Sequence, residues 1–284
     1  MKIIKDLITD EERALYATFD AEIVNCEFSG VADGESALKE CKNVKVNGCK
    51  FLLRYPLWHC KNFEMTNCTL AETCRAPLWY DEKGSLTGCI VDGVKTLREC
   101  NDIKIDKCKV NSTEFGWKCS DLCITDTEMN SEYFLLLAKK VAMSNCRFGG
   151  KYSFQYVENA TIENCVLDTK DAFWHSKNVT VKNCVVKGEY LAWYSDGLTL
   201  IDCKIEGTQP LCYCKNLTLI NCTMTGCDLS FEYSEVNADV KGKIDSVKNP
   251  KSGKICADEI GEIVLENAVM EDTCKIFVAG KEIK

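Results

Sequence analysis

Cysteine recurs in this chain at intervals of 19 residues, and this period constrains the fold more than any other feature. The 19-residue ladder consists of Cys108, Thr127 in place of a cysteine, Cys146, Cys165, Cys184, Cys203 and Cys222. Cys26, Cys49, Cys68 and Cys89 extend it toward the N-terminus, at spacings of 23, 19 and 21 residues. Repeats of this length are typical of solenoids, in which each repeat packs on its neighbours. We call these positions rungs and count the columns of the repeat from them.

The columns on either side of the rung predict two short strands joined by a corner. The residues five and three before the rung and two after it are apolar, as Val44, Val46 and Phe51 are around Cys49. Such period-two alternation is typical of strands with one buried face. Asparagine often precedes the rung, at Asn25, Asn67, Asn145, Asn164, Asn183 and Asn221. Because asparagine tolerates a left-handed backbone, this column predicts a tight corner with a stacked amide ladder.

Strands this short bury a face only when successive coils stack at about 4.8 Å. We therefore predict an all-β fold: a single-stranded right-handed parallel β-helix of about ten 19-residue coils. One domain is expected over residues 1–284, with an N-terminal cap at 1–20, coils at 21–236, and a last coil and C-terminal cap at 237–284. Thr9-Asp-Glu-Glu12 has the capping-box pattern, which predicts a short helix over 11–16 as the N-terminal cap. A leucine-rich-repeat solenoid is the main alternative, but the chain lacks its leucine frame.

The 21 cysteines are interpreted as packing residues. Ten lie on rungs, and five more form a second interior column eight before the rung: Cys41, Cys60, Cys100, Cys119 and Cys214. No Cys-x-x-Cys motif occurs and there are two histidines, so no metal and no cofactor are predicted. Free thiols and the absence of a signal-peptide pattern favour the cytoplasm. A net charge of −8 without a basic block argues against nucleic acid, and no apolar run is long enough to predict a membrane span.

The third face of each coil is the segment between the short strand after one rung and the first strand before the next rung. It carries the candidate functional residues. All five tryptophans lie ten before the rung, and both histidines lie nine before it. The column eleven before is mostly apolar and the column eight before is small, so both are predicted to face inward and the two between them outward. The alternative is that the tryptophans fill the core. The predicted ligand-binding residues are Trp58, Trp79, Tyr80, Trp117, Trp174, His175, Trp193 and Tyr194.

Two function classes fit this aromatic face. Aromatic planes beside charged groups suit a saccharide, and tryptophan, tyrosine and arginine are equally the preferred residues of protein interfaces. A non-catalytic binding or assembly module, with a saccharide or a second copy as partner, is the main hypothesis. The alternative is a carbohydrate-active enzyme at a charged cluster. Its candidate catalytic residues are Arg54, Arg75, Arg98, Glu40, Glu99 and His59.

Several phrases resemble an uncharacterised bacterial family, the domain of unknown function 3737 family of the pectin-lyase-like superfamily. They include Glu12-Arg-Ala-Leu-Tyr16, Arg54-Tyr-Pro-Leu-Trp58, Arg75-Ala-Pro-Leu-Trp-Tyr80, Asp171-Ala-Phe-Trp-His175 and Gly207-Thr-Gln-Pro-Leu-Cys-Tyr213. The resemblance implies a right-handed β-helix whose chemistry, where present, lies on the Trp/His/Tyr face. It leaves a polysaccharide lyase or glycoside hydrolase open, although the aspartate clusters of those enzymes have no counterpart here.

Overall fold

The computed structural model describes residues 1–270 and 272–284, which form two compact units, 1–147 and 148–284. Both units are parallel β-solenoids, and neither contains a helix in the part of the chain that is described. Counted by the first strand of each coil, the N-terminal unit has eight coils and the C-terminal unit seven. The all-β parallel solenoid is confirmed, but the count of ten coils is wrong, since about 15 are present. The right hand of the coils stays a prediction.

In most coils of the N-terminal unit a six-residue strand and a shorter strand meet at the corner before the rung. The strands of this unit are β1 (Lys2–Lys5), β2 (Ile8–Thr9), β3 (Phe19–Val24), β4 (Glu27–Phe28), β5 (Lys42–Asn47), β6 (Lys50–Phe51), β7 (Leu57–Trp58), β8 (Lys61–Thr66), β9 (Thr69–Leu70), β10 (Leu78–Trp79), β11 (Glu82–Thr87), β12 (Ile90–Val91), β13 (Asn101–Asp106), β14 (Lys109–Asn111), β15 (Ser120–Thr125), β16 (Glu128–Glu132) and β17 (Lys139–Ser144). Of these, β7 and β10 are two-residue strands of the third face.

The strands of the C-terminal unit keep this pattern at first and then lengthen. They are β18 (Arg147–Lys151), which begins at the last residue of the N-terminal unit, β19 (Glu158–Glu163), β20 (Val166–Lys170), β21 (Lys177–Lys182), β22 (Val185–Lys187), β23 (Asp196–Ile201), β24 (Lys204–Glu206), β25 (Leu217–Thr225), β26 (Glu235–Lys248), β27 (Ser252–Val264), β28 (Lys275–Val278) and β29 (Lys281–Glu282).

Strands stack in register because equivalent columns meet from coil to coil. Val44 of β5 pairs with Phe63 of β8, and Val46 pairs with Met65, so each apolar column lies on itself. These side chains are buried. Asn25 and Asn67 before the rung have φ of 51° and 52°, the left-handed conformation expected for a corner.

Asparagines also stack from coil to coil at the corners. In the N-terminal unit, at a second corner six residues before the rung, Asn62 Nδ2 donates to Asn43 Oδ1 at 2.8 Å. Asn183 Nδ2 donates to Asn164 Oδ1 at 2.7 Å in the C-terminal unit. The predicted amide ladder is therefore confirmed.

Cysteines fill the interior as predicted. The ten rung cysteines and the five of the second column are all buried, and only Cys123 and Cys256 of the 21 are partly exposed. Their thiols donate to carbonyl oxygens of the preceding coil, as Cys60 Sγ does to Leu38 O at 3.0 Å. Asp81 takes the place of a cysteine in the second column and is completely buried.

The predicted N-terminal helical cap is wrong. The backbone N–H groups of Arg13, Leu15 and Ala17 donate to the carbonyls of residues 35, 37 and 39 on the next coil, at 2.9 to 3.0 Å. Arg13 and Ala17 also have left-handed φ of 54° and 49°. The N–H of Glu11 does bond to Thr9 Oγ1 at 3.3 Å, but it is followed by a single turn bond, from the Tyr16 N–H to Arg13 O at 2.9 Å, and no helix forms. The segment is an ordinary part of a coil.

The C-terminal prediction holds in part. Residues 275–278 form the expected closing strand, β28, and β29 folds back on it antiparallel. However, β26 and β27 are two further coils rather than one. Their repeat is shorter, because Cys222 pairs with Val240 and Val247 pairs with Ile263, spacings of 18 and 16 residues. Register shifts accompany both changes, which explains why the 19-residue ladder ends at Cys222.

Candidate functional site

The backbone of the third face turns two adjacent side chains outward. Leu57 and Cys60, eleven and eight before the rung, are fully buried, whereas Trp58 is half-buried and His59 is exposed. His59 has a left-handed φ of 58°, and Tyr80 in the same column has 61°. A left-handed residue interrupts the alternation of a strand, so both columns between the inward ones face solvent. The predicted orientation of the two columns is confirmed.

In the N-terminal unit the tryptophans form what we call the inner stack: Trp58, Trp79, Arg98 and Trp117. Trp58 and Trp79 are parallel, with ring centroids 5.2 Å apart. The Arg98 guanidinium lies between two indoles, 4.5 Å from Trp79 and 4.8 Å from Trp117. Each interior ring face in this stack is therefore covered by a neighbour.

The indole N–H groups of the inner stack are also satisfied within the fold. Nε1 of Trp58 donates to Ala76 O at 2.8 Å, and Nε1 of Trp79 donates to Lys95 O at 2.7 Å. Trp117 makes the equivalent bond to the carbonyl of residue 133 at 2.5 Å. Since the faces and the N–H groups are both engaged, mainly the ring edges are available to a ligand.

The three candidate arginines have different surroundings. Arg98 pairs with Glu114 at 3.1 Å and is held between the indoles, so it is part of the stack. Arg54 pairs with Asp33 at 3.0 Å and with Glu35 at 3.7 Å. Arg75 is exposed. The structure thus does not gather them into one cationic site.

The two candidate carboxylates, Glu40 and Glu99, are also not brought together. Glu99 is exposed and lies 4.0 Å from Lys118. Glu40 lies three coils earlier in the same column, about 15 Å away at the usual coil spacing. The Tyr16 hydroxyl donates to Glu40 at 2.9 Å, and this bond raises the pKa of the phenol.

Glu40 and His59 meet at one open cleft of about 380 Å³, which we call the Glu40 cleft. Its lining residues are Ala17, Phe19, Glu40, Lys42 and His59. The His59 ring stacks on Tyr80, with centroids 5.0 Å apart. Of the predicted catalytic residues, these two are the ones that the fold brings to a shared cavity.

In the C-terminal unit both outward columns are aromatic at the levels of Trp174 and Trp193, whereas Gln155 and the buried Cys212 stand in the first column on either side of them. Trp174 and Trp193 stack with centroids 5.4 Å apart, and their Nε1 atoms donate to backbone carbonyls of the next coil. Beside them lies what we call the outer stack: Tyr156, His175, Tyr194 and Tyr213. Its successive centroids are 4.8, 5.0 and 4.8 Å apart.

The outer stack is open to solvent along its edge. The exposed fractions of Tyr156 and Tyr194 are 44% and 47%. The Tyr213 hydroxyl lies 3.3 Å from Glu232, and burial together with this carboxylate raises the pKa of Tyr213 to about 12. Lys248 neutralises Glu232 at 2.9 Å. Tyr213 therefore remains a neutral hydrogen-bond donor at physiological pH.

Several residues of these sites are missing from the sequence-based list. Tyr156 and Tyr213 share the column of His175 and Tyr194, so that column already carried the signal for them. Phe19 and Lys42 lie seven before the rung, in a column without a distinguishing pattern, and only the cleft identifies them.

The described residues contain no group of three or more His, Cys, Asp and Glu arranged to hold a metal ion. Over the same residues, no helix has the length and apolar composition needed to cross a membrane.

Solved structures similar to this chain include several with low identity and TM-scores below 0.5, which carry no argument about function. They include PfbA, a surface adhesin of Streptococcus pneumoniae, with 9% identity, coverage of 80% of this chain and 83% of that one, and a TM-score of 0.49. The A-module of the Azotobacter vinelandii mannuronan C-5 epimerase AlgE4 has 9% identity, coverage of 84% and 89%, and a TM-score of 0.37. Comparison with curated proteins finds no significant match.

A family profile, in contrast, matches nearly the whole chain. The family described as "Protein of unknown function (DUF3737)" matches residues 2–277. The match includes every coil of the N-terminal unit, both tryptophan stacks and the outer stack. This chain belongs to the DUF3737 family.

Proposed function

We propose that this protein is a non-catalytic binding and assembly module, and that a protein partner packs against the outer stack of the C-terminal unit. The observation that carries the proposal is the exposed edge of four consecutive rings, Tyr156, His175, Tyr194 and Tyr213. Tyrosine is enriched at protein interfaces because it combines a large apolar surface with a polar hydroxyl. A row of such rings at fixed spacing is a preorganised surface of this kind.

Stacking favours a protein over a saccharide as the partner. A sugar packs on the face of an aromatic ring, and the interior faces of the outer stack are covered by rings 4.8 to 5.0 Å away. A sugar ring does not fit between two aromatic rings at that spacing. The edges and hydroxyl groups that remain suit the side chains of a protein surface.

The enzymatic alternative has less support from the geometry. Two carboxylates that hydrolyse a glycoside lie about 5 to 10 Å apart, whereas Glu40 and Glu99 are about 15 Å apart. Arg98, as a base or clamp, would have to leave two indoles and Glu114. Both requirements weigh against catalysis by the predicted cluster.

The test uses a double variant, Tyr156→Ser with Tyr194→Ser, in the complete chain. A second copy of the chain is the partner tested first, by sedimentation velocity over a range of concentrations. We expect the wild-type protein to self-associate and the double variant to remain monomeric. The control is Ile90→Ser, which removes a side chain that is 44% exposed but lies away from the aromatic columns.

A wild-type protein that stays monomeric would exclude self-assembly as the function. Binding of neutral or acidic oligosaccharides that is lost in the double variant would replace the protein partner by a saccharide. Melting temperatures of all variants are measured in parallel, so that a folding defect is not taken for a lost interface.

A further inference from the structure

The Glu40 cleft of the N-terminal unit contains a cation and an anion that are not paired with each other. Lys42 lines the cleft, and its Nζ lies 5.8 Å from the centre of the Phe19 ring. Within the described residues, no carboxylate lies within 4 Å of this ammonium group. Glu40 accepts the Tyr16 hydroxyl and, over the same residues, has no cationic partner.

Two nearby lysines, in contrast, pair with carboxylates on the neighbouring coil. Lys61, in the same column as Lys42, binds Glu82 at 2.6 Å. Lys45 binds Glu64 at 3.4 Å. Cross-coil ion pairs therefore form beside the cleft, whereas Lys42 and Glu40 line it without an ionic partner in the part of the chain that is described, so a ligand that carries both charges can pair with each of them.

Aromatic side chains also line the cleft. Phe19 has an exposed fraction of 52%, a high value for a phenylalanine. His59 stacks on Tyr80 with one face, while the preceding residue of its column is Glu40, which has no ring to cover the other face. A flat apolar group can therefore pack against the exposed Phe19 ring and the uncovered face of His59.

We infer that the Glu40 cleft binds a small zwitterion, an α-amino acid with a flat apolar side chain. Its ammonium group pairs with Glu40, its carboxylate pairs with Lys42, and its side chain packs on Phe19 and His59. The volume of about 380 Å³ lies at the small end of the range of ligand sites, which fits a ligand of this size. This site is independent of the outer stack and of the function proposed for it.

The first experiment titrates the complete chain calorimetrically with L-phenylalanine. Two analogues, phenethylamine and hydrocinnamate, each lack one of the two charges. We expect each analogue to bind at least about tenfold more weakly than L-phenylalanine, a factor that corresponds to about 1.4 kcal/mol. Equal binding by either analogue overturns the zwitterion assignment, and no binding of L-phenylalanine overturns the site.

Matched variants locate the binding. Glu40→Gln keeps an acceptor for Tyr16 but removes the charge, and Lys42→Met removes the ammonium group; each is expected to weaken binding of L-phenylalanine about tenfold. The controls are Glu99→Gln and Lys61→Met, which change the same two columns outside the cleft and leave the affinity unchanged. If the controls weaken binding as much as the cleft variants do, the ligand lies elsewhere and the inference fails.

Discussion

The third faces of the two units share a backbone conformation but differ in what they display. In the N-terminal unit the inner stack is interrupted by Arg98, and the column beside it contains Glu40, Glu99 and Lys118. In the C-terminal unit Trp174 and Trp193 stack directly, and the column beside them is a continuous row of rings.

The difference shows how a solenoid obtains different surfaces from one geometry. In both units the column nine before the rung has left-handed φ, 61° at Glu40 and 61° at Tyr194. That conformation turns the side chain outward whatever it is, and the side chain then decides the property. In the N-terminal unit Glu40 lines a cleft and has no ionic partner among the described residues. In the C-terminal unit consecutive rings stack on each other and expose their edges. The same contrast extends inward, where Asp81 is the charged exception in a column that carries Ser176 and Ser195 in the C-terminal unit.

The largest expected effect is on the pH dependence of stability. It arises from Asp81 and has no counterpart at Ser176 and Ser195 in the same column. Burial raises the pKa of Asp81 well above that of an exposed carboxyl, and one of its oxygens has no hydrogen-bond partner. The unfolded chain releases this proton above about pH 4, whereas the folded chain keeps it. Stability should therefore fall as pH rises from about 4, by about 1.4 kcal/mol per unit, until Asp81 ionises in the fold.

Asp81→Cys tests this expectation. The Cys60 N–H bonds to Asp81 at 2.7 Å, and the equivalent N–H of Cys100 bonds to Cys119 Sγ at 3.4 Å, so a thiol at residue 81 preserves the contact. Urea unfolding between pH 4.5 and 7 should show the slope in the wild type and not in the variant. Parallel profiles for the two proteins would mean that Asp81 is ionised or solvated in the fold.

The next effect compares the two tryptophan stacks. Trp79 has Trp58 on one face and Arg98 on the other, whereas Trp193 stacks on Trp174 and meets Tyr213 edge-on. We expect Trp79→Ala to lower the free energy of unfolding by about 2.5 kcal/mol and Trp193→Ala by about 1.5 kcal/mol, since fewer parallel contacts are lost. Denaturant titration measures both. A larger loss for Trp193 would contradict the role assigned to Arg98 in the stack.

Much of this fold follows from the sequence because a solenoid repeats its local physics. The inward columns eleven and eight before the rung predicted that the tryptophan and histidine columns between them face outward. The corners were predicted from asparagine, which tolerates a left-handed backbone. Beyond Cys222 one last coil was predicted where β26 and β27 form two, since the period of the repeat shortens there. Residues 11–16 were mistaken for a helix because a capping pattern is local, whereas the N–H partners of Leu15 and its neighbours lie on the next coil.

The candidate site was only partly predictable. Column membership identified Trp58, His59 and Tyr194, and the coil spacing itself implies that aromatic columns must stack face to face. Which charges remain unpaired could not be read from the sequence, because Lys42 and Lys61 occupy the same column and only contacts distinguish them. Charged site residues that are recognised by the absence of an ion pair can therefore be identified only from the structure.

The smallest expected effect makes the N-terminal stack resemble the C-terminal one. Arg98→Trp replaces the guanidinium by a third indole between Trp79 and Trp117, and its Nε1 is placed to donate to a carbonyl of the next coil as the other indoles do. The gained stacking offsets the lost cation–π contacts and the lost ion pair with Glu114, so the free energy of unfolding should change by less than about 1 kcal/mol. Arg98→Ala is the matched variant and should cost about 1 to 2 kcal/mol, because two ring faces lose their neighbour. Urea unfolding of both variants distinguishes the outcomes. A severe loss in Arg98→Trp would mean that the charge pair with Glu114, rather than ring spacing, maintains the N-terminal stack, and the two units would then be built on different interactions.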